Sequence, residues 1–338
     1  MTTAAARVGD LDEDALIARI QARLPAPSPD EAWTGDDTAI LKGFSGEVLF
    51  TADALVEGVD FQLAWSSPED VGWKALAANA SDIAAMGGRP SHAVVALCLH
   101  PSTELGVIDE LVDGMVAAGT RWGIGLAGGD LSRGRELVVS VAMIGSPSVG
   151  GPIRRSTARS GDVVCVTGSL GGAAGGLLAL RRGLGRASPR SGPVWRLIER
   201  QVRPLARVDE GRALAASNIS SMIDLSDGLA ADLARLTSAS GVGCRIRSGD
   251  VPVDASLLSA TDRGELGPID PLETAIVGGE DFELLFTVAE PRLEAARAAL
   301  EGIGASCAPI GEITEKGRTI DDNDLEMWRR KGWDHLRR

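Results

Sequence analysis

Hydrophobic and polar positions along the chain follow two periods, one helical and one of strands. Between residues 11 and 24 the apolar side chains Leu16, Ile17, Ile20 and Leu24 recur at helical spacing and predict a short helix, after a loose tail over residues 1–10. A Pro-bounded linker follows at 25–29. Apolar runs predict strands at 47–52, 92–99 and 136–145. Ser67 before Pro68 is a helix start, with a hydroxyl cap and a proline at the first helical position. That helix runs through Asp82 and stops at Gly87-Gly88, and a second covers 104–121. After residue 152 strands are predicted at 162–167, leading into a glycine-rich turn and a helix, at 220–225, leading into a helix over 228–238, and at 305–310. Phe282, Leu284, Phe286 and Val288 alternate with Glu283, Leu285 and Thr287, which predicts a half-buried strand over 281–288, followed by a helix over 291–302.

The turn formers from Gly145 to Pro152 mark a boundary between two domains, 1–148 and 149–338. Both halves mix strands and helices, so the expected fold class is α/β (α+β) in two layers rather than one doubly wound sheet. The length of 338 residues fits two domains that fold without disulfide or metal staples. Cys98, Cys165, Cys244 and Cys307 are far apart, form no CxxC pair and read as reduced, buried residues of a cytoplasmic protein. The three histidines lack metal-ligand spacing, which argues against zinc. No apolar run approaches 18 residues, so no membrane span is expected. With 34 Lys+Arg against 47 Asp+Glu, a net charge of −13 and no Tyr, the chain is a poor general partner for nucleic acid or an anionic membrane.

The informative feature is where the acids fall. Asp36 and Asp37 stand in a Gly-Asp-Asp-Thr turn, Asp53 ends a strand, and Asp82 lies on a helix. Asp130 follows Gly128-Gly129 in a loop before a strand. Asp224 and Asp227 flank a strand-to-helix junction, and Glu280 and Asp281 start a strand. Taken singly, several are ordinary: Asp37 as turn chemistry, Ser226 as a helix N-cap, Asp227 as a first-turn acid, Arg154, Arg155 and Arg159 as a solvated island. Asp224, ending an apolar strand, is harder to excuse, because an unpaired buried acid is costly. If the clusters converge, Mg²⁺ explains them best, since it takes hard oxygen ligands and bridges carboxylates to phosphates. There is no GxxxxGK[ST] and no GxSxG. The glycines from Gly168 to Gly176 lack the GxGxxG spacing and suit close packing or a loop near a nucleotide.

Several stretches together resemble the thiamine-monophosphate kinase family, part of the superfamily of aminoimidazole ribonucleotide synthetase and selenophosphate synthetase. They are Gly35-Asp-Asp-Thr-Ala-Ile40, Thr51-Ala-Asp-Ala-Leu-Val-Glu-Gly-Val-Asp-Phe61, Lys74-Ala-Leu-Ala-Ala-Asn-Ala-Ser-Asp-Ile-Ala-Ala-Met-Gly-Gly88, Gly128-Gly-Asp130, Ile223-Asp-Leu-Ser-Asp-Gly-Leu229, Gly278-Gly-Glu-Asp-Phe-Glu-Leu284 and Gly332-Trp-Asp-His335. The resemblance implies transfer of the γ-phosphoryl group of ATP to thiamine monophosphate with several Mg²⁺ ions per site. It also implies a homodimer joined through the N-terminal sheets, and an active site between the two halves. By this resemblance Asp37, Asp53, Asp82, Asp130, Asp224 and Asp227 match metal positions, with Thr51 and, through its carbonyl, Ala52. Gly129, Asp130, Arg155 and Ser226 match nucleotide contacts, and Glu280 and Trp333 match substrate contacts. Where the family motif usually has His this chain has Asp60, which can pair with a thiazolium or accept from the pyrimidine amine.

The expected chemistry is direct in-line transfer with no covalent nucleophile. A phosphate acceptor is already ionised near neutral pH, so no strong general base is needed. Rival readings are a sister enzyme with another phosphate or carboxylate acceptor, and a nucleotide or metal binder without turnover.

Overall fold

The structure is a computed structural model that describes residues 5–33, 38–44, 46–185 and 191–332. The chain divides into two compact units, Met1–Ile83 with Pro90–Ser146, and Ala84–Arg89 with Pro147–Arg338.

The first unit runs α1 (Glu13–Gln21), β1 (Leu49–Val56), α2 (Pro68–Ala85), β2 (Arg89–Leu99), α3 (Leu105–Trp122), β3 (Gly125–Arg133) and β4 (Val138–Ser146). Its sheet has the order β1-β4-β2-β3. The start of α2 is as expected: the Asp70 amide donates to Ser67 Oγ at 3.1 Å, and the Ser67 amide donates back to the Asp70 carboxylate at 3.2 Å. A Cβ at Gly72 would stand 2.0 Å from the Leu111 carbonyl, and one at Gly114 1.9 Å from that of Glu69, so these glycines let α2 and α3 touch backbone to backbone. The tail is not loose over residues 5–10. The Val8 and Gly9 amides donate to the carbonyls of Thr103 and Pro101.

Gly128-Gly129-Asp130 is no loop. It lies inside β3, which runs parallel to β2 with a bulge between Ala93 and Val94. Glycine signals a turn in sequence, but here it serves contact: a Cβ at Gly129 would stand 2.0 Å from the Val95 carbonyl oxygen. On β4, Val139, Val141 and Met143 are buried on the helix side of the sheet. The register Thr51↔Met143 and Asp53↔Val141 puts Thr51 and Asp53 on that same face. Phe50, Ala52 and Ala54 face the other way.

The second unit runs β5 (Asp162–Thr167), α4 (Gly172–Arg181), α5 (Pro193–Val202), α6 (Val208–Ala216), β6 (Ser221–Asp224), α7 (Leu229–Ser240), β7 (Gly243–Ile246), α8 (Ala255–Asp262), α9 (Pro271–Val277), β8 (Leu284–Ala289), α10 (Leu293–Glu301), β9 (Cys307–Thr314), β10 (Arg318–Ile320), β11 (Asn323–Asp324) and α11 (Leu325–Arg329). Its seven-stranded mixed sheet has the order β11-β10-β7-β9-β5-β8-β6. One face packs Val164, Val166, Ile223 and Leu285 against Leu229, Leu233 and Leu236 of α7. The other packs Cys165, Met222, Leu284 and Phe286 against Leu214 of α6 and Leu300 of α10. β8 is therefore buried on both faces, not half-buried, because α7 covers one face of the sheet and α6 and α10 cover the other. All four cysteines are free; Cys165 and Cys244 are buried, while Cys98 and Cys307 are partly exposed. Among the described residues, no helix is long and apolar enough to cross a membrane.

Candidate functional site

In the first unit, β1 and α2 bring two expected residues together. Thr51 Oγ1 donates to the Asp82 carboxylate from across the helix-side face of the sheet. Asp53, two residues on, shares the face of Thr51. Asp130 stands apart from this pair. β1 and β3 are the two edges of the sheet, so three strand spacings, roughly 14 Å, separate them. Its carboxylate accepts from Ser132 Oγ at 3.0 Å. Gly129 and Asp130 are exposed. Asp60 closes the turn after β1 by accepting from the Val56 amide at 2.8 Å. Asp37 lies outside the described residues.

In the second unit, two motifs are zipped together. The Glu280 amide donates to the Ser226 carbonyl at 2.8 Å, Phe282 to Leu225 at 3.0 Å, and Leu225 to Glu283 at 2.8 Å. Asp224, Ser226 and Asp227 thus share a double loop with Glu280. Neither Ser226 nor Asp227 plays its simple helical part, because α7 begins only at Leu229, after Gly228. Instead the Asp227 amide donates to the buried Asp232 carboxylate at 3.0 Å, and Arg235 bridges Asp227 and Asp232. Burial pushes the Asp232 carboxyl up to about 7, although Arg235 pulls it down. Arg155 has an exposed side chain, and its carbonyl accepts from Ser240 Oγ at 2.8 Å. Trp333 lies outside the described residues. A Cβ built on Gly332, the residue before it, would stand 3.4 Å from the Val277 carbonyl and 3.9 Å from that of Asp227.

The glycine-rich turn before α4 is a packing device. A Cβ at Gly176 would stand 2.1 Å from the Leu197 carbonyl, and one at Gly168 2.1 Å from Glu283. The helix N-terminus is already taken: the Asp281 carboxylate accepts from the amides of Gly171 at 2.6 Å and Ala173 at 3.0 Å. Burial pushes Asp281 up to about 6, against the pull of Arg200 and those two amides. A carboxyl raised on folding stabilises the native state fully below its unfolded value and loses that contribution as pH rises through about 6. The advantage of the native protein over Asp281→Asn is therefore expected to shrink between about pH 4 and 6, by roughly 3 kcal/mol at most. Urea midpoints of both proteins across that range check this; a constant or growing advantage would contradict it.

Sequence reading missed the ion cluster beneath this loop. Glu283 is fully buried, accepts from Arg207 Nε at 2.8 Å, Arg200 at 3.2 Å and Thr167 Oγ1 at 2.7 Å. Arg200 also reaches Asp254 at 3.0 Å. An acid between Phe282 and Leu284 was the available signal, since such a charge needs partners.

Among the described residues, no three His, Cys, Asp or Glu side chains stand grouped to hold a metal. The donors at the candidate positions are carboxylate, hydroxyl and carbonyl oxygens, with β1 an edge strand whose alternate carbonyls point away from the ladder. Such a hard-oxygen set fits Mg²⁺ and not a soft metal.

Residues 35–146 match the family model "AIR synthase related protein, N-terminal domain", and residues 159–322 match its C-terminal counterpart. The chain is 33% identical over 335 residues to the thiamine-monophosphate kinase of Bacillus subtilis, covering 97% of this chain and 100% of that one. The crystal structure of thiamine-monophosphate kinase from Stenotrophomonas maltophilia superposes with a TM-score of 0.82 at 35% identity, covering 93% of this chain and 98% of that one. A structure of AaThiL complexed with AMPPCP and TMP superposes with a TM-score of 0.77 at 31% identity, covering 99% and 100%. On the order of its motifs and on these full-length likenesses, the chain belongs to the thiamine-monophosphate kinase family.

Proposed function

We propose that the protein transfers the γ-phosphoryl group of ATP directly to thiamine monophosphate, giving thiamine diphosphate and ADP. The observation that carries this reading is the zipped double loop, which puts Ser226 and Asp227 beside Glu280 and Gly279, with Asp224 opposite Leu284 at its base. A relative that binds AMPPCP and TMP supports it. The metal ligands would be Asp37, Asp53, Asp82 and Asp130, with the Thr51 hydroxyl and the Ala52 carbonyl, and in the second unit Asp224 and Asp227. The strand spacing between Asp53 and Asp130 suits more than one Mg²⁺. Bound Mg²⁺ would offset the negative charge of the phosphates. Gly129, Asp130, Arg155 and Ser226 serve the nucleotide, the arginine fork fitting phosphate oxygens. Glu280, Trp333 and Asp60 serve the substrate, where a carboxylate suits the cationic thiazolium. The acceptor phosphate, with a second pKa near about 6, is already ionised, so no side chain need act as general base.

The trapping of phosphoprotein tests the direct route. Incubation with γ-labelled ATP and Mg²⁺, without acceptor, is expected to leave the protein unlabelled, and a labelled residue would overturn direct transfer.

The same reading includes a homodimer. The sheet face away from α2 and α3 carries Phe50 at 72% exposure and Val94 at 44%, beside Ala52, Ala54 and Ala142. An apolar sheet face of this kind suits a second copy. Phe50→Glu is expected to convert a dimer to a monomer in light scattering; a native protein already monomeric at micromolar concentration would contradict the dimer.

A further inference from the structure

We infer that Gln201, near the end of α5, is a positioning residue that holds the Glu280 carboxylate in place for the cationic part of the substrate. This rests on the reading of Glu280 as a substrate contact. Glu280 sits in an unusual loop: its φ is +67° and that of Phe282 is +50°, left-handed values that side-chain-bearing residues rarely adopt. Three anchors hold the loop. Asp281 caps α4, Glu283 is gripped by Arg200 and Arg207, and the backbone is zipped to Leu225 and Ser226. These fix the backbone. The side chain is engaged by Gln201, whose Nε2 donates to Glu280 Oε2.

The position of Gln201 follows from the glycine packing of α4 on α5, since a Cβ at Gly176 would stand 2.9 Å from Gln201 Cβ. Gln201 is 5% exposed, and its Oε1 is buried without a hydrogen-bond partner among the described residues. A buried amide with an orphan carbonyl is costly for folding, and Met would fill the same space without that cost. Stability therefore does not explain Gln201, whereas the orientation of a carboxylate does.

The test measures equilibrium binding of thiamine monophosphate and of AMPPCP to Q201M, Q201E, E280Q and the Q201M/E280Q double variant, together with melting temperatures. Q201M is expected to weaken thiamine monophosphate about tenfold, to leave AMPPCP unchanged, and to keep or raise the melting temperature. Q201E keeps the shape but faces Glu280 with a second carboxylate, and is expected to weaken binding at least as much. In the E280Q background Q201M is expected to add less than about twofold, because the two residues act through one contact. Full binding by Q201M, an undiminished Q201M effect in the E280Q background, or parallel loss of AMPPCP binding and melting temperature would overturn the inference. If E280Q alone binds thiamine monophosphate like the native protein, the placement of Glu280 falls and the role of Gln201 falls with it. Loss in E280Q without loss in Q201M removes Gln201 only.

Discussion

Asp82→Asn is expected to lower kcat/KM by about a thousandfold while leaving the melting temperature unchanged or higher. The acid faces Thr51 across the helix-side face of the sheet and shares that face with Asp53. Asn keeps the size of the side chain and an oxygen that accepts from Thr51, so the packing of α2 is preserved. What it removes is a negative charge that, on the proposed reading, would hold a divalent cation against the phosphates. A thousandfold corresponds to about 4 kcal/mol of transition-state stabilisation, a scale typical of losing one preorganised electrostatic contact. The retained contact with Thr51 is why stability should not fall. Steady-state kinetics at saturating Mg²⁺ beside a thermal melt checks both halves. Near-native turnover would remove Asp82 from the site.

Glu283→Ala is expected to have the largest effect on folding. The carboxylate is fully buried and is gripped by Arg207, Arg200 and Thr167. Its removal leaves two largely covered guanidinium groups facing each other and a space beside Gly168. Breaking a buried ion cluster by deleting one member costs about 3–5 kcal/mol. For a unit of this size that corresponds to a melting temperature lower by on the order of 10 °C. A thermal melt measures it, and a shift of less than about 2 °C would show that the cluster contributes little.

The legible parts of this fold were those where a local pattern and its tertiary setting agree. Ser67-Pro68 marked the start of α2 because capping is local chemistry. The two-layer α/β class followed from the alternation of strand and helix signals. β3 was not legible, because Gly128-Gly129-Asp130 carries turn residues, and only the neighbouring β2 reveals that the glycines admit its backbone. β8 read as half-buried because alternation cannot show that helices cover both faces of a sheet. At the site, the acids could be named one at a time, but their partners could not. Nothing local links Gln201 to Glu280, or Arg200 and Arg207 to Glu283. The contacts of Gln201 and Arg200 depend on how α5 packs on α4, and that of Arg207 on where α6 begins. Asp60 shows the same limit, since its role in closing the turn after β1 appears only with the Val56 amide in place.

On the proposed reading, this protein joins the γ-phosphate of ATP to the phosphate of thiamine monophosphate. Phosphorus NMR of the native protein with both compounds and Mg²⁺ tests it directly. The expected record is loss of the ATP γ and thiamine monophosphate signals, with equal amounts of ADP and thiamine diphosphate formed, and no turnover when the Mg²⁺ is chelated. ATP bound without any thiamine diphosphate, or phosphoryl transfer to an aminoimidazole-type acceptor in preference, would contradict it.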